Sequence, residues 1–156
     1  MEVDSYEAIV QYAIQKEREA AEFYETLSRM AVMEGVRDML TEFAAEERKH
    51  ERILKDVDCT NECKIATSQY HFRWISDIKR SDLLLDIPFD PNMGYRDVLI
   101  VAMKREEKAL ALYNELLEKS QSEQAKNVFK LLCQEEAKHK LKLETLYDDF
   151  MKEMGD

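Results

Sequence analysis

Apolar and small side chains recur on alternating steps of three and four along four stretches of the chain, the period of a helix that buries one seam. In the first stretch the seam is Val3, Tyr6, Val10, Ala13, Glu17, Ala20, Tyr24, Leu27 and Ala31. The second, from about Gly35 to Val57, carries Val36, Leu40, Phe43, Glu47, His50, Leu54 and Val57. The third has Leu99, Ala102, Glu106, Ala109, Tyr113 and Leu116, and the fourth Ala125, Phe129, Leu132, Glu136, His139, Leu143, Leu146 and Phe150. Asp4 with Glu7 forms a plausible capping box ahead of the first helix. Met33-Glu34-Gly35 and Ser120-Gln121-Ser122 are the expected turns, so the helices pair into two hairpins, over about 4–57 and 94–154. Residues from about 58 to 93 are far too many for a bundle turn and predict a crossover along the bundle. Its middle looks partly helical and carries Tyr70, Phe72 and Trp74, and Pro88 and Pro91 break it before the third helix. The expectation is an all-α, antiparallel four-helix bundle forming one domain over 1–156.

Six polar residues interrupt the apolar seams, and they are related to one another. Glu47 and His50 form a Glu-x-x-His motif, and so do Glu136 and His139. Each motif follows a lone seam glutamate, Glu17 or Glu106, and each member of the first set has its counterpart 89 positions later in the second. The same shift matches Ala13 with Ala102, Ala20 with Ala109, Tyr24 with Tyr113, Leu27 with Leu116, Glu46 with Glu135 and Leu54 with Leu143. A duplicated hairpin with pseudo-twofold symmetry is the economical explanation. Because each turn lies near the midpoint between a lone glutamate and its Glu-x-x-His motif, the two stand level across their own hairpin.

On a helix, residues three apart face the same way with Cβ atoms about 5 to 6 Å apart, so a carboxylate and an imidazole so spaced can reach one metal ion. Two Glu-x-x-His motifs plus one Glu from each remaining helix is the arrangement that di-iron and di-manganese carboxylate bundles use. Four ionised carboxylates in an apolar seam would cost several kcal/mol each if unpaired. Two divalent cations would make the set formally neutral. The alanines at 13, 20, 102 and 109 leave room beside the lone glutamates. A ligand set rich in oxygen, with two imidazoles and no thiolate, suits iron or manganese, with zinc also possible. A Glu beside a His on a helix is otherwise a common surface pair; two matched sets in the buried register favour the ligand reading. Glu46 and Glu135 fall at the margin of the seam, as solvated groups or supports for the ligands, and Glu19 and Glu107 read as surface charges. Tyr24 and Tyr113 lie two turns beyond the lone glutamates and need hydrogen-bond partners if buried, either a ligand carboxylate or some other core group.

Composition narrows the partners. The chain has 156 residues, 45% of them hydrophobic, only three Gly and two Pro, and a net charge of -10. That field repels phosphate, so neither nucleic acid nor an anionic membrane is expected as a main partner, and cations are the natural ligands. No apolar run approaches a membrane span, and the stretch from Met1 to Asp4 lacks an export signal, which makes the cytoplasm the expected location. Cys59, Cys63 and Cys133 form no C-x-x-C pair and read as reduced thiols, although Cys59 and Cys63 could meet on one helical face as a redox pair. His71 has no repeat counterpart and is assigned to the crossover.

The stretch from Ala13 to Glu17 with Ala20, Phe23 and Tyr24, followed by Glu46-Glu47-Arg48-Lys49-His50, resembles the first hairpin of the rubrerythrin branch of the ferritin-like superfamily. The run from Ala102 to Tyr113 with Glu135 to His139 resembles the second. The resemblance implies a dinuclear iron centre held by Glu17, Glu47, His50, Glu106, Glu136 and His139 that reacts with hydrogen peroxide or dioxygen. It also marks two departures. The accompanying rubredoxin module with its C-x-x-C pairs is missing, so electrons would come from a separate donor such as a rubredoxin-like protein. Where rubrerythrins place an extra Glu three residues after the lone Glu of the third helix, this chain has Ala109. The six-residue set is also similar to the ferroxidase centre of bacterioferritin, but Arg48 and Lys49 stand where that family has its haem-ligating Met, so no haem is expected. The expected activity is peroxide or dioxygen reduction by a homodimer; ferroxidase or iron-storage chemistry is the alternative, and a bundle with an inert site the third reading.

Overall fold

The computed structural model describes residues 6–30, 34–58, 84 and 86–155. Four helices account for nearly all of them: α1 (Tyr6–Met30), α2 (Glu34–Asp58), α3 (Tyr95–Lys119) and α4 (Glu123–Gly155). No strand occurs among the described residues, so the all-α bundle expected from the seams is what forms. Asp4, Cys59, Cys63, Tyr70, His71, Phe72 and Trp74 lie outside the described residues. Helix α2 takes in Glu34 and Gly35, which had been expected in the first turn, because its first turn begins directly after Met33. Among the described residues no helix is long and apolar enough to cross a membrane.

The second turn forms where the sequence places it. Ser120 caps α3 with an extended backbone, and its N–H donates to the Leu117 carbonyl. Ser122 then starts α4, its hydroxyl accepting from the Ala125 N–H at 3.0 Å and its carbonyl from the Lys126 N–H at 3.1 Å. A serine oxygen at that position satisfies amide donors that the first helical turn leaves without partners. Ahead of α3, Asp90-Pro91-Asn92-Met93 makes a tight turn, with the Met93 N–H on the Asp90 carbonyl and the Asn92 N–H on the Asp90 carboxylate. Proline supplies the fixed φ and aspartate the local acceptor that such a turn favours.

Helix α1 packs along α2 and α3 along α4, and the two hairpins meet through α1 against α3 and α2 against α4. Cross-hairpin contacts set the directions: Tyr24 meets Glu106 while Tyr113 meets Glu17, so α1 and α3 run antiparallel. His50 beside Glu136 and His139 beside Glu47 place α2 and α4 antiparallel too. Asp58 and Tyr95 therefore stand at opposite ends of the bundle. The last part of the connection between them, Ile87, Phe89 and Met93, packs on the bundle beside α3.

The core is divided in two. One apolar lobe joins the C-terminal half of α1 to the N-terminal halves of α2 and α3, with Tyr24, Leu27, Leu40, Phe43, Met103 and Leu143 in contact. The other joins the opposite halves through Val10, Ala13, Leu54, Leu116, Phe129 and Leu132. Between the lobes lie the six polar seam residues. Helix α4 also buries Gln134, Lys140 and Glu144, which its apolar seam did not announce. Phe129 is fully buried in the second lobe. Phe129→Ala should lower unfolding free energy by about 3 to 5 kcal/mol, as truncation of a buried aromatic does; equilibrium denaturation in urea measures it.

Candidate metal centre

All six seam residues reach the middle of the bundle and are buried: Glu17, Glu47, His50, Glu106, Glu136 and His139 are each 3% exposed or less. Helical register brings them there. Glu17 follows Val10 and Ala13 along the buried stripe of α1, Glu47 and His50 follow Leu40 and Phe43 on α2, and the second hairpin repeats the pattern with Glu106, Glu136 and His139. Their ligating atoms fall into two quartets whose members lie within 4.8 Å of one another. One quartet is Glu17, Glu47, His50 and Glu136; the other is Glu47, Glu106, Glu136 and His139. Glu47 and Glu136 belong to both. The arrangement is thus two sites, each with its own Glu and His, joined by two shared carboxylates.

The donor atoms face one another without satisfying one another. Glu17 Oε2, Glu47 Oε1, His50 Nδ1, Glu106 Oε2, Glu136 Oε1 and His139 Nδ1 are all buried and make no hydrogen bond. Several are close: His50 Nδ1 is 2.8 Å from Glu136 Oε1, and His139 Nδ1 is 3.0 Å from Glu47 Oε1. With the glutamates ionised and the rings neutral, every one of these atoms is an acceptor, so lone pairs converge on common points. An unsatisfied buried polar atom costs roughly 1 to 3 kcal/mol, and six of them would offset much of a typical net stability of about 5 to 15 kcal/mol. A pair of cations at those points removes the penalty. The residues present therefore fit a dinuclear metal centre.

The groups behind the donors hold them in place. Tyr24 donates its hydroxyl proton to Glu106 Oε1 at 2.5 Å, and Tyr113 donates to Glu17 Oε1. Each tyrosine thus serves the glutamate of the other hairpin, and each leaves the second carboxylate oxygen pointing at the centre. Glu46, half-buried at the seam margin, contacts His139 Nε2. A carboxylate can only accept, so Nε2 donates its proton to Glu46 and Nδ1 is the nitrogen turned to the centre, the one that would ligate a metal once its own proton is displaced. Phe43 stacks on the same ring with centroids 4.0 Å apart. Glu135, the repeat counterpart of Glu46, instead pairs along its own helix with Lys138 at 3.8 Å. Glu51, one residue beyond His50, is buried and meets Arg18 at 3.2 Å and Arg48 at 3.8 Å. Nothing in the seam pattern pointed to it. Glu107 is partly covered and pairs with the buried Lys104 at 3.0 Å, so it is more than a surface charge.

Proton affinities follow from this geometry. Burial, then the neighbouring Glu17 carboxylate, pushes Glu47 well above the ordinary 4.5; burial, then Glu106, does the same to Glu136. For Glu17 burial acts in the same upward direction, but contact with Glu47 and the facing His50 outweighs it and the net shift is downward. Glu106 is lowered likewise, burial being overcome by Glu136, His139 and the Tyr24 hydroxyl. Burial alone would lower His139; its contacts with Glu106 and Glu46 raise it well above 6.5. Burial, then the adjacent carboxylates, raises both tyrosines well above 10.0, so they remain donors at physiological pH. Cys133 is a half-buried thiol beside Asn114, pushed up to about 11 by burial, and lies outside the cluster.

Comparison with known proteins agrees with this architecture. The family model described as ferritin-like domain matches residues 5–148. A solved structure of a hypothetical protein, Pfu-1136390-001 from Pyrococcus furiosus, superposes with a TM-score of 0.70 over 95% of this chain and 91% of that one, at 24% identity, which is a likeness of fold. Curated proteins return no match.

The pH dependence of the chelated protein tests the electrostatics. Glu47, Glu136 and His139 have folded-state affinities raised above their unfolded values, so their stabilising protons are fully held below 4.5 for the glutamates and below 6.5 for the histidine. That contribution is lost as pH rises through the raised values. After chelation, the melting temperature should fall as pH is raised above 6.5, while protein reloaded with a divalent cation should melt higher and respond less. Calorimetry from pH 6 to 9 reads both; parallel curves would sink the assignment.

Proposed function

The chain belongs to the ferritin-like domain family, and from that premise we propose that its buried cluster is a dinuclear iron centre of rubrerythrin type, reducing hydrogen peroxide or dioxygen with electrons from a separate donor. One observation carries the reading: six buried donor atoms without hydrogen bonds, one from each seam residue, converge in two quartets that share Glu47 and Glu136. When bound there, iron supplies the redox equivalents and the Lewis acidity that peroxide reduction needs. Glu17 with His50 and Glu106 with His139 would complete the two ends, and the shared glutamates would hold both ions. Manganese or zinc could occupy the same donors.

The chain's own part is to orient the ligands. Tyr24 and Tyr113 fix one oxygen of each end glutamate, so the free oxygen keeps its aim. Glu46 fixes the ring of His139 and Phe43 covers it. The two apolar lobes flank the centre toward either end of the bundle. The working form in this reading is a homodimer served by an electron donor such as a rubredoxin-like protein.

Ferrous protein mixed with hydrogen peroxide in a stopped-flow instrument should oxidise in a rapid phase. Glu47→Ala and Glu136→Ala should each slow that phase by more than about a hundredfold, beyond the 10- to 100-fold typical of a supporting residue. Equal rates in all three proteins would reject the reading, and uptake of many irons per chain would favour storage instead. Glu46→Gln should weaken metal binding by about 10- to 100-fold in a competition titration, with the helical spectrum unchanged.

A further inference from the structure

The six donors repeat at an offset of 89 positions, but the groups behind the two imidazoles do not. His139 is held by three neighbours: Glu46 accepts its Nε2 proton, Phe43 stacks on the ring with centroids 4.0 Å apart, and Tyr24 meets it edge-on at 6.5 Å. Lys142 lies 5.9 Å from the centroid of Phe43. His50 is equally buried but has none of these braces. Glu135, which takes the place of Glu46, turns to Lys138, and Leu132 stands where α2 has Phe43. Among the described residues, the ring contact that His50 makes is with His139 itself, at 6.3 Å.

The approach to the centre is common to both ends. A cavity of about 790 Å³ opens between α1 and α3 onto Glu17, Glu47, Glu106 and Glu136, and neither imidazole lines it. An ion arriving there meets both end glutamates and both shared ones, beside Ala20 and its repeat counterpart Ala109. The cations around the end glutamates are matched by acids. Near Glu17, Arg18 pairs with Glu51 at 3.2 Å; near Glu106, Lys104 pairs with Glu107 at 3.0 Å and Lys108 with Asp86 at 2.7 Å. Lys16 and its counterpart Arg105 both act on Glu19. The charge that tells the two ends apart is therefore Glu46, in contact with His139.

We propose that the two positions of the centre are unequal: the one at Glu106 and His139 takes the first divalent cation, the one at Glu17 and His50 holds a second, exchangeable cation, and Glu46 and Phe43 set the order. The inference rests on the dinuclear reading of the cluster and names which end of it fills. Two effects act in the same direction. A carboxylate behind an imidazole makes the other ring nitrogen a stronger donor, an effect worth about 10- to 100-fold in metal affinity. A ring already packed by its neighbours has less freedom to lose when an ion arrives. Once seated, the first ion draws on Glu47 and Glu136, which the second position shares, and the two cations repel, so the second is held less tightly. Such repulsion separates the two affinities in a symmetric centre as well. What the asymmetry fixes is the place of the first ion.

The test is a zinc titration of the chelated full-length protein, followed through the imidazole nitrogen and proton signals, with metal content measured on the same samples. The chain has three histidines, so His50 and His139 are readily assigned from His50→Gln and His139→Gln. At one zinc per chain, about nine in ten of the bound ions or more should report at His139, the share that a tenfold preference gives. The second equivalent should then shift His50, and a weak chelator added to the loaded protein should release the His50 end first. Glu46→Gln, which keeps the side chain's shape and removes its charge, should bring the His139 share down toward one half. Glu46→Gln combined with Phe43→Leu should make both rings respond together, with two zinc ions still bound and the helical spectrum unchanged. Equal response of the two rings in the wild type overturns the proposal, as does first filling at His50 or a wild-type share in the double variant. Should that variant fail to fold, Glu46→Gln decides alone. Two ions filling both ends evenly would leave the dinuclear reading standing without the order, a single ion seated at His139 would do the reverse, and no binding would remove both.

Discussion

The burial of four carboxylates and two imidazoles in the mid-plane of the bundle is the constraint to which the rest of the structure answers. Such groups cannot be left unpaired in an apolar interior. Each is therefore braced, Glu106 and Glu17 by tyrosine hydroxyls and His139 by Glu46 and Phe43. The apolar core divides around them into one lobe toward each end of the bundle. Those lobes supply the hydrophobic stabilisation that the polar layer cannot, at roughly 25 cal/mol per Å² removed from water. Fold and site are two aspects of one packing solution.

Much of this could be read from the chain before any coordinates. Seam residues such as Val10, Leu40, Tyr113 and Leu143 are buried because period and burial are linked by helix geometry alone. The six polar seam residues come together for the same reason. What the seam could not convey lies off its axis. Glu46 reaches His139 on another helix, and no local spacing encodes a contact between residues 93 positions apart. The burial of Glu51, Lys104 and Lys140 depends on what covers the outer faces of their helices. The start of α2 at Glu34 differs from the expected turn because Glu and Gly are both tolerated in a first helical turn, where amides lack intrahelical partners anyway.

The repeat is exact in its donor residues and loose around them. Glu46 holds a histidine of the facing hairpin, whereas its counterpart Glu135 pairs with Lys138. Phe43 stacks on His139, and the equivalent position in α4 is Leu132, which cannot stack on His50 in the same way. Asymmetry also appears beside the cavity, where Ala20 and Ala109 match while the basic residues Lys104 and Lys108 belong to α3 alone. Such differences distinguish two otherwise equivalent ends, so chemistry at the centre need not be symmetric.

The reciprocal tyrosine bonds make each hairpin depend on the other. Tyr24 serves a glutamate of the second hairpin and Tyr113 one of the first. Neither hairpin completes its own end of the centre, yet two copies of a single hairpin, facing each other across a twofold axis, would satisfy every one of these contacts. A single hairpin sequence thus holds half of the six donors, and the repeat 89 positions later supplies the other half within one chain. Held in one chain, the two halves need not stay identical, and the departures at Glu135 and Leu132 fall where only one copy of a contact is kept.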